Sequence, residues 1–531
     1  MAGVALFLTV ALTYPFVPQM AHVARIDNGD GQFAIWNVAW VARALVLDPL
    51  HVFDANIFYP HRGTLAYSES NLGAGIMALP VYWATKNPYL AHNTVVVLSF
   101  ILSACGAYYL VRYVTGDRYA AAVSAICFAF CPYIFARTAE IQLMLTAGLP
   151  FSLLAFHRLA DRPRMARAVV LGAAMAAEAI CCGYYGVFIT LVVGLAVLFV
   201  ATWRSRWADG RYLAMVAAAA VVAVVLVAPA FAPYATLRSA TGFTRPLDES
   251  VRWSANWQAY LASSAIGHVW MLPWIREFNE VLFPGFVATV FGLGGAVIGW
   301  RQGGRARETA MLYSILAILA IWASFGPAAG LYAVLYRVVP LFDWLHAPAR
   351  FGILVTLALS VLAGLAISDL RRRVPYGSAV ALALAVLAAG ELARPLHFPS
   401  VPPDSSVYAV LKDLPPAPVI ELPFYSKRSE ITLHSQYMLN STTHWMPLVN
   451  GYSDYTPPDW VQSAPVWSQF PSPESFRALE RLHPRYAVFH LDLFNPVGRR
   501  EVLTRLDQFA PFLRPLHMDG ETRLYEIVAF R

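Results

Sequence analysis

Lysine is nearly missing from this chain of 531 residues: 39 residues are basic, yet only Lys86, Lys412 and Lys427 are lysines. Charge of either sign is scarce, at 13% of the residues, where a solvated domain carries about 25%. That deficit excludes a chain solvated along most of its length. Cysteine is scarce too. Cys105, Cys127, Cys131, Cys181 and Cys182 all fall in apolar runs and none in the hydrophilic C-terminal region, which excludes a disulfide framework or a cysteine zinc site. The Cys181-Cys182 pair reads as small buried hydrophobes. No heptad, Walker, dinucleotide-binding or internal-repeat pattern occurs.

What is present is apolar: 58% hydrophobic residues and a mean hydropathy of +0.52 indicate a polytopic membrane protein. A net charge of +7 would suggest nucleic acid for a soluble protein. Here the arginines sit in short loops between apolar runs, the positive-inside signature, and nucleic acid is excluded as a partner. The start, MAGVALFLTVALTYPFVPQM, lacks a basic region and a small-residue cleavage site, so it reads as an uncleaved first span.

A span needs about 20 apolar residues. Eleven are expected, near 3–20, 89–112, 119–136, 142–160, 167–182, 184–203, 211–232, 283–300, 309–326, 349–368 and 375–393. The short run Leu72–Lys86, broken by Pro80, reads as an interfacial or re-entrant helix. Arg112 and Arg118, Arg158 to Arg167, Arg204 to Arg211, Arg301 to Arg307, and Arg371 to Arg373 mark alternate loops as cytoplasmic. The N-terminus is then inside. The first loop 21–71, the long loop 233–282, the segment 327–348 and the tail lie outside. The expected division is a membrane domain over 1–395 and an extracytoplasmic α/β domain over 396–531. In the tail, strand-like runs Pro418–Pro423, Tyr486–Leu491 and Leu524–Val528 alternate with helical patterns near 404–413, 473–482 and 498–510.

The acids gather in the first loop: Asp27, Asp30, Asp48, Asp54 and Glu69. Within it Phe33, Trp36, Trp40, Ala44 and Leu47 recur at helical spacing, while Gln32, Asn37 and Arg43 face elsewhere. Such a helix, too short to span and lined with Trp and Phe, is expected to lie in the membrane interface. It would hold carboxylates beside whatever the bilayer delivers. A partly desolvated carboxylate serves as a general base on an acceptor hydroxyl. A divalent cation, magnesium or manganese, is a candidate cofactor if Asp30, Asp54 and Glu69 converge. The plainer readings are that Asp30-Gly31 is a helix N-cap and that Asp54, Asn56 and Pro60 are turn formers.

Arg137, three residues before Glu140, reads either as a same-face ion pair or as a phosphate clamp, since a guanidinium binds phosphate oxygens as a fork. In His346-Ala-Pro-Ala-Arg350, Arg350 is an external arginine set against the charge rule. It is a second phosphate ligand or a side chain snorkelling to headgroups. Arg238, Arg245, Arg252, His268 and Arg276 stand among Trp253, Trp257, Trp270 and Trp274, as in an interfacial belt. Tyr184 and Tyr185 read as interfacial. His434, His444 and Glu430 fit no zinc spacing.

Several segments resemble the GT-C glycosyltransferase superfamily: Gly29-Asp30 after the first span, the Trp-rich stretch, DANIFYP and AYSE, then FAFCPYIFARTAEIQL, HAPARFGIL and LNSTTHWMPLVNGYSDYTPP. The resemblance implies a GT-C-like membrane fold, a catalytic acid in the first external loop and a polyprenyl-phosphate sugar donor. It also implies transfer on the outer face of a bacterial cytoplasmic membrane. Asp30 is the matching acid. Glu69 and Asp54 support it, and Asp27 matches less closely. Where similar proteins carry His, this chain has Ser70 and Glu140. The expected catalytic residues are thus Asp30, Asp27 and Glu69. The expected substrate-binding residues are Asp54, Arg137, Glu140, His346 and Arg350, with no metal ligand assigned. The partners would be a lipid-linked sugar donor, a glycan, lipid or protein acceptor, and membrane lipids. The rival classes are a transporter or lipid flippase, which favours internal repeats and charges inside spans, and a non-catalytic envelope assembly protein. Glu178 is the one acid clearly inside a span.

Overall fold

Apolar runs of span length have one economical solution in lipid, the helix that satisfies its own backbone. The computed structural model, which describes residues 1–403 and 405–530, puts helix in every one of the expected spans. Among the described residues six helices are long and apolar enough to cross a membrane: Pro88–Thr115, Arg118–Ala136, Gly183–Trp203, Gly210–Thr241, Gly304–Ser324 and Pro348–Arg373. Others are shorter or broken. The first span stops at Leu12 and resumes as Phe16–Gln19, and the fourth is divided into Ile141–Met144 and Gly148–Asp161. Val221, Val224, Val225 and Leu226 of the Gly210–Thr241 helix are all exposed, an apolar surface that lipid rather than water suits.

The chain folds as two compact units. The first comprises Met1–Gln19, Thr94–Ala232 and Gly242–His397. Its helices meet through small residues, the usual device where lipid removes the hydrophobic drive for association. A Cβ on Gly295 of the Phe286–Gln302 helix would overlap the backbone of Leu362 on the Gly352–Arg373 helix. The arginine-rich loops are tied to acids. Arg371 binds Asp117 at 2.5 Å, Arg204 binds Glu308 at 2.6 Å and Asp161 at 3.0 Å, and Arg305 binds Asp161 at 2.9 Å.

The second unit comprises Met20–Asn93, Pro233–Thr241 and Phe398–Arg531. The tail therefore shares a compact unit with the first loop, whereas the sequence division set 396–531 apart. A four-stranded sheet has the order β1 (Val419–Leu422), β2 (Tyr486–His490), β4 (Thr522–Ile527), β3 (Leu513–Asp519). β1 runs parallel to β2, with Val419 opposite Tyr486. β4 is antiparallel to both β2 and β3, with Tyr486 opposite Glu526. Gly520, at φ +55°, turns the β3–β4 hairpin. Val407, Tyr408, Leu411, Val419, Val488 and Leu524 form its core. The expected tail helices are Ser406–Asp413, Pro473–Leu479 and Pro496–Gln508. Position 404, where the first was expected to begin, lies outside the described residues, as does position 531.

The aromatic helix of the first loop, Gly29–Leu47, corrects an expectation. It is not an interfacial helix with one apolar face but a core element. Trp36, Val38, Ala39 and Val41 are fully buried, and so is Asn37, which was expected on the other side. The Leu72–Thr85 and His434–Asn440 helices flank it. Asn56 ties it down: Trp36 Nε1 donates to Asn56 Oδ1 at 3.1 Å, while Asn56 Nδ2 donates to Ser441 Oγ at 3.1 Å and to the Met446 carbonyl at 3.0 Å. Tails of the loop pair with the chain near 450: Phe58 N donates to Asn450 O at 3.1 Å and Tyr59 N to Leu448 O at 2.8 Å.

Candidate functional site

Within the first unit, two arginines and two glutamates share one cluster, in which Arg137 and Glu280 are buried and Glu140 and Arg350 partly so. The short Pro132–Ala136 helix ends at Arg137, and the following turn sets Glu140 at the head of Ile141–Met144. Arg137 Nη1 donates to Glu140 Oε2 at 2.9 Å. The other carboxylate oxygen, Oε1, accepts from Arg350 Nη2 at 2.8 Å, so Glu140 bridges the two guanidinium groups. Arg137 Nη2 donates to Glu280, which comes from an irregular segment of the long loop. Each guanidinium also lies over a ring: Arg350 is 4.3 Å from the Tyr184 centroid and Arg137 is 4.9 Å from that of Tyr133.

These contacts settle the protonation states. Burial alone would push the Glu140 carboxyl up, but Arg137 and Arg350 together hold it below the usual carboxylate range. Burial, with Arg245 and Arg350 nearby, pushes His346 down to about 2, so its imidazole is neutral. The His346 backbone N–H donates to Tyr184 Oη at 3.0 Å, and Tyr184 Oη shares a second hydrogen bond with His346 Nδ1 at 2.7 Å. Tyr133 and Tyr185 pair by their hydroxyls at 3.2 Å, and Tyr185 donates to the Leu143 carbonyl at 2.8 Å.

Arg350 is unevenly used. A guanidinium has five donors, and among the described residues it makes one hydrogen bond, to Glu140. Its Nε and that of Arg137 are buried without a partner. Four desolvated charges are less stabilising than apolar side chains of the same volume. The plainer reading of Arg137–Glu140 is met, since the two form an ion pair at 2.9 Å, and the buried Nε of each arginine stands without a partner beside it. The Arg137–Glu140 pair and the His346–Arg350 segment, noted apart in the sequence, come together here. Glu280 and Tyr133 were missed, and Tyr184 and Tyr185, expected at the interface, are buried inside the unit.

The acids of the first loop belong to the second unit. Asn28, rather than Asp30, caps the Gly29–Leu47 helix, accepting from Gly31 N at 2.8 Å. Asp30 is thereby spared the capping role expected of it and stands exposed in the first turn, where the helix dipole favours its charge. Tyr452 Oη donates to Asp30 Oδ1 at 3.1 Å, and the Tyr452 ring meets that of Phe33 edge-on at 5.7 Å. Asp27 pairs with Arg25 at 2.9 Å. Asp54 Oδ1 accepts from Gly63 N at 2.7 Å and so holds a turn, its plainer reading. The Glu69 carbonyl accepts from Asn37 Nδ2 at 3.0 Å, two turns along the helix from Asp30. Tyr452 was not foreseen as a partner of Asp30.

A metal would need the first-loop acids to converge. Among the described residues no group of three or more His, Cys, Asp or Glu could hold one, and Asp54 is spent on the Gly63 amide. The donor set does not fit a divalent cation, and no step is drawn through one.

No protein-family model matches the chain, and no curated protein does. Solved structures do. Two lie below a TM-score of 0.5: the Archaeoglobus fulgidus oligosaccharyltransferase with Zn and sulfate is 12% identical over 99% of this chain and 73% of its own, at 0.49. ArnT from Cupriavidus metallidurans bound to undecaprenyl phosphate is 14% identical over 99% and 97%, at 0.45. ArnT from the same organism in the apo state is 16% identical over 99% of this chain and 97% of that chain, with a TM-score of 0.51. Along nearly its whole length the protein has the fold of ArnT, a large helical region with a small C-terminal sheet.

Proposed function

We propose that the protein is a membrane glycosyltransferase that moves a sugar from a polyprenyl-phosphate carrier to a glycan, lipid or protein acceptor. It acts on the outer face of a bacterial cytoplasmic membrane, with residues 1–395 as the membrane domain, the N-terminus inside, and the first loop and the tail from 396 outside. The observation that carries the reading is the partly buried Arg350 guanidinium, which spends one donor on Glu140 and keeps a buried Nε unpartnered. A phosphate oxygen is the acceptor such a group suits.

The chemistry divides into two tasks. Asp30 takes the proton of the acceptor hydroxyl, whose oxygen then bonds to the anomeric carbon of the donor sugar. The bond from that carbon to the carrier phosphate oxygen breaks, and its electron pair leaves with the phosphate. A phosphodiester becomes a monoester and gains negative charge, which Arg350 and Arg137 stabilise. Fixed cations aimed at developing charge are among the strongest catalytic devices. Glu140 and neutral His346 keep the guanidinium planes in place, Asp27 and Glu69 support Asp30, Asp54 shapes the first loop, and the tail receives the acceptor.

Binding of a polyprenyl-phosphate sugar to the protein in lipid nanodiscs tests this. Binding is expected for wild type and for Asp30→Asn, and is expected to be lost in Arg350→Ala. No wild-type binding across a panel of carriers would move the assignment to a transporter or an assembly protein.

A further inference from the structure

The charge count of the arginine cluster contains more than a binding site. Arg137 and Arg350 are balanced by Glu140 and Glu280, so the four groups are neutral together. A phosphodiester brings one negative charge. Added to a neutral, desolvated cluster it would be uncompensated, and an uncompensated buried charge is costly. One carboxylate must therefore give way.

The two carboxylates are not equally placed to do so. Glu140 sits three residues from Arg137, heads the Ile141–Met144 helix and is held by both guanidinium groups. Glu280 has one hydrogen bond among the described residues, to Arg137. It lies between the 3-10 helix that ends at Trp274 and the helix that starts at Phe286, in a segment with no regular structure. The segment is held by hydrogen bonds on either side of Glu280: Arg276 N and Glu277 N to Gln258 Oε1 at 2.7 and 2.9 Å, Asn279 Nδ2 to the Arg252 carbonyl at 2.8 Å, Leu282 N to the Ala259 carbonyl at 2.9 Å and Phe283 N to the Ala262 carbonyl at 3.0 Å. Glu280 is itself buried, so it occupies the cluster rather than solvent.

We propose that Glu280 is a stand-in for the carrier phosphate: it occupies the Arg137 guanidinium until a lipid phosphate displaces it, and its return drives the product out. This rests on the assignment of the arginine pair to phosphate. With Glu280 withdrawn, two arginines, Glu140 and a phosphodiester sum to zero. After transfer the carrier is a monoester with a charge of about −1.5 to −2 near neutral pH. The excess negative charge then favours departure of the product and re-entry of the single carboxylate.

The test compares wild type, Glu280→Gln and Arg350→Ala in nanodiscs, with a polyprenyl monophosphate and its sugar phosphodiester as probes. Removing a competing charge-assisted hydrogen bond should tighten binding of both probes by about ten- to a hundredfold in Glu280→Gln. The ratio of the two affinities should stay as in wild type, because either probe displaces the same carboxylate. Hydrogen exchange of wild type supplies a second readout that does not depend on how the variant folds. Exchange over 275–285 should speed up when the phosphodiester binds. Unchanged or weaker binding in Glu280→Gln, or slower exchange over 275–285, would overturn the inference. If in those cases Arg350→Ala still abolishes binding, the phosphate site stands and Glu280 is structural. If wild type binds neither probe, both the site and the inference fall.

Discussion

Replacing Arg350 by lysine separates charge from shape. The arginine makes one 2.8 Å hydrogen bond to Glu140 and lies 4.3 Å above the Tyr184 ring centroid. An ammonium group can replace the Glu140 contact and keep the cluster neutral. It cannot present two parallel donors to a phosphate, and it is a point charge rather than a fork. One charge-assisted hydrogen bond is worth about 1.5–3 kcal/mol, so carrier affinity should fall by about 10- to 150-fold. Folding stability should change much less, by about 0.5–1 kcal/mol for the lost stacking, because no buried charge is left unpaired. Equilibrium binding of a polyprenyl phosphate in nanodiscs, alongside thermal unfolding of the same samples, reads both quantities. Affinity equal to wild type would refute the fork argument. A binding loss that merely tracked the unfolded fraction would refute it too.

Acid should weaken the fold through its buried histidines. Burial pushes His434 down to about 4 and His444 down to about 3, and burial with two arginines pushes His346 down to about 2. In the unfolded chain these side chains take up a proton near pH 6.5. Between there and the folded values the unfolded state binds more protons, so stability is full above pH 6.5 and falls as pH drops below it. The unfolding midpoint measured from pH 8 to pH 4 should fall over that range, and His444→Gln should flatten part of the slope; a parallel curve would show that His444 is not among the groups responsible. Asn56→Leu should lower stability by about 3 kcal/mol, because it strands the Trp36 N–H and the Met446 carbonyl together, while the Ser441 hydroxyl keeps its bond to the Met438 carbonyl. Denaturation of the variant with an unchanged midpoint would remove Asn56 from the account of how the first loop is held.

The spans were legible because length and apolarity are local properties, and the arginine loops because they alternate with them. The strands at Val419, Tyr486 and Thr522 were legible as short apolar runs. β3 was not: LRPLHMD contains Pro515, its side chains at Arg514 and Met518 are exposed, and only pairing with β4 makes it a strand. The Gly29–Leu47 helix was recognised but misplaced, since a three-and-four spacing of Trp and Phe marks an apolar face without saying whether lipid or protein covers it. Burial of Asn37 by the Glu69 carbonyl had no sequence signal. Arg137 and Glu140 could be paired by their spacing. Glu280 lies 143 residues from Arg137, and Tyr452 lies 422 residues from Asp30, so only the folded chain brings these partners together.

Sugar transfer itself is the most direct test. A labelled polyprenyl-phosphate sugar is incubated with the protein in nanodiscs and an acceptor panel, and transferred label is counted for wild type and for Asp30→Asn at matched protein levels. Transfer by wild type, abolished in Asp30→Asn while donor binding persists, is the predicted result. Undiminished transfer by Asp30→Asn would contradict the assignment of Asp30 as the base.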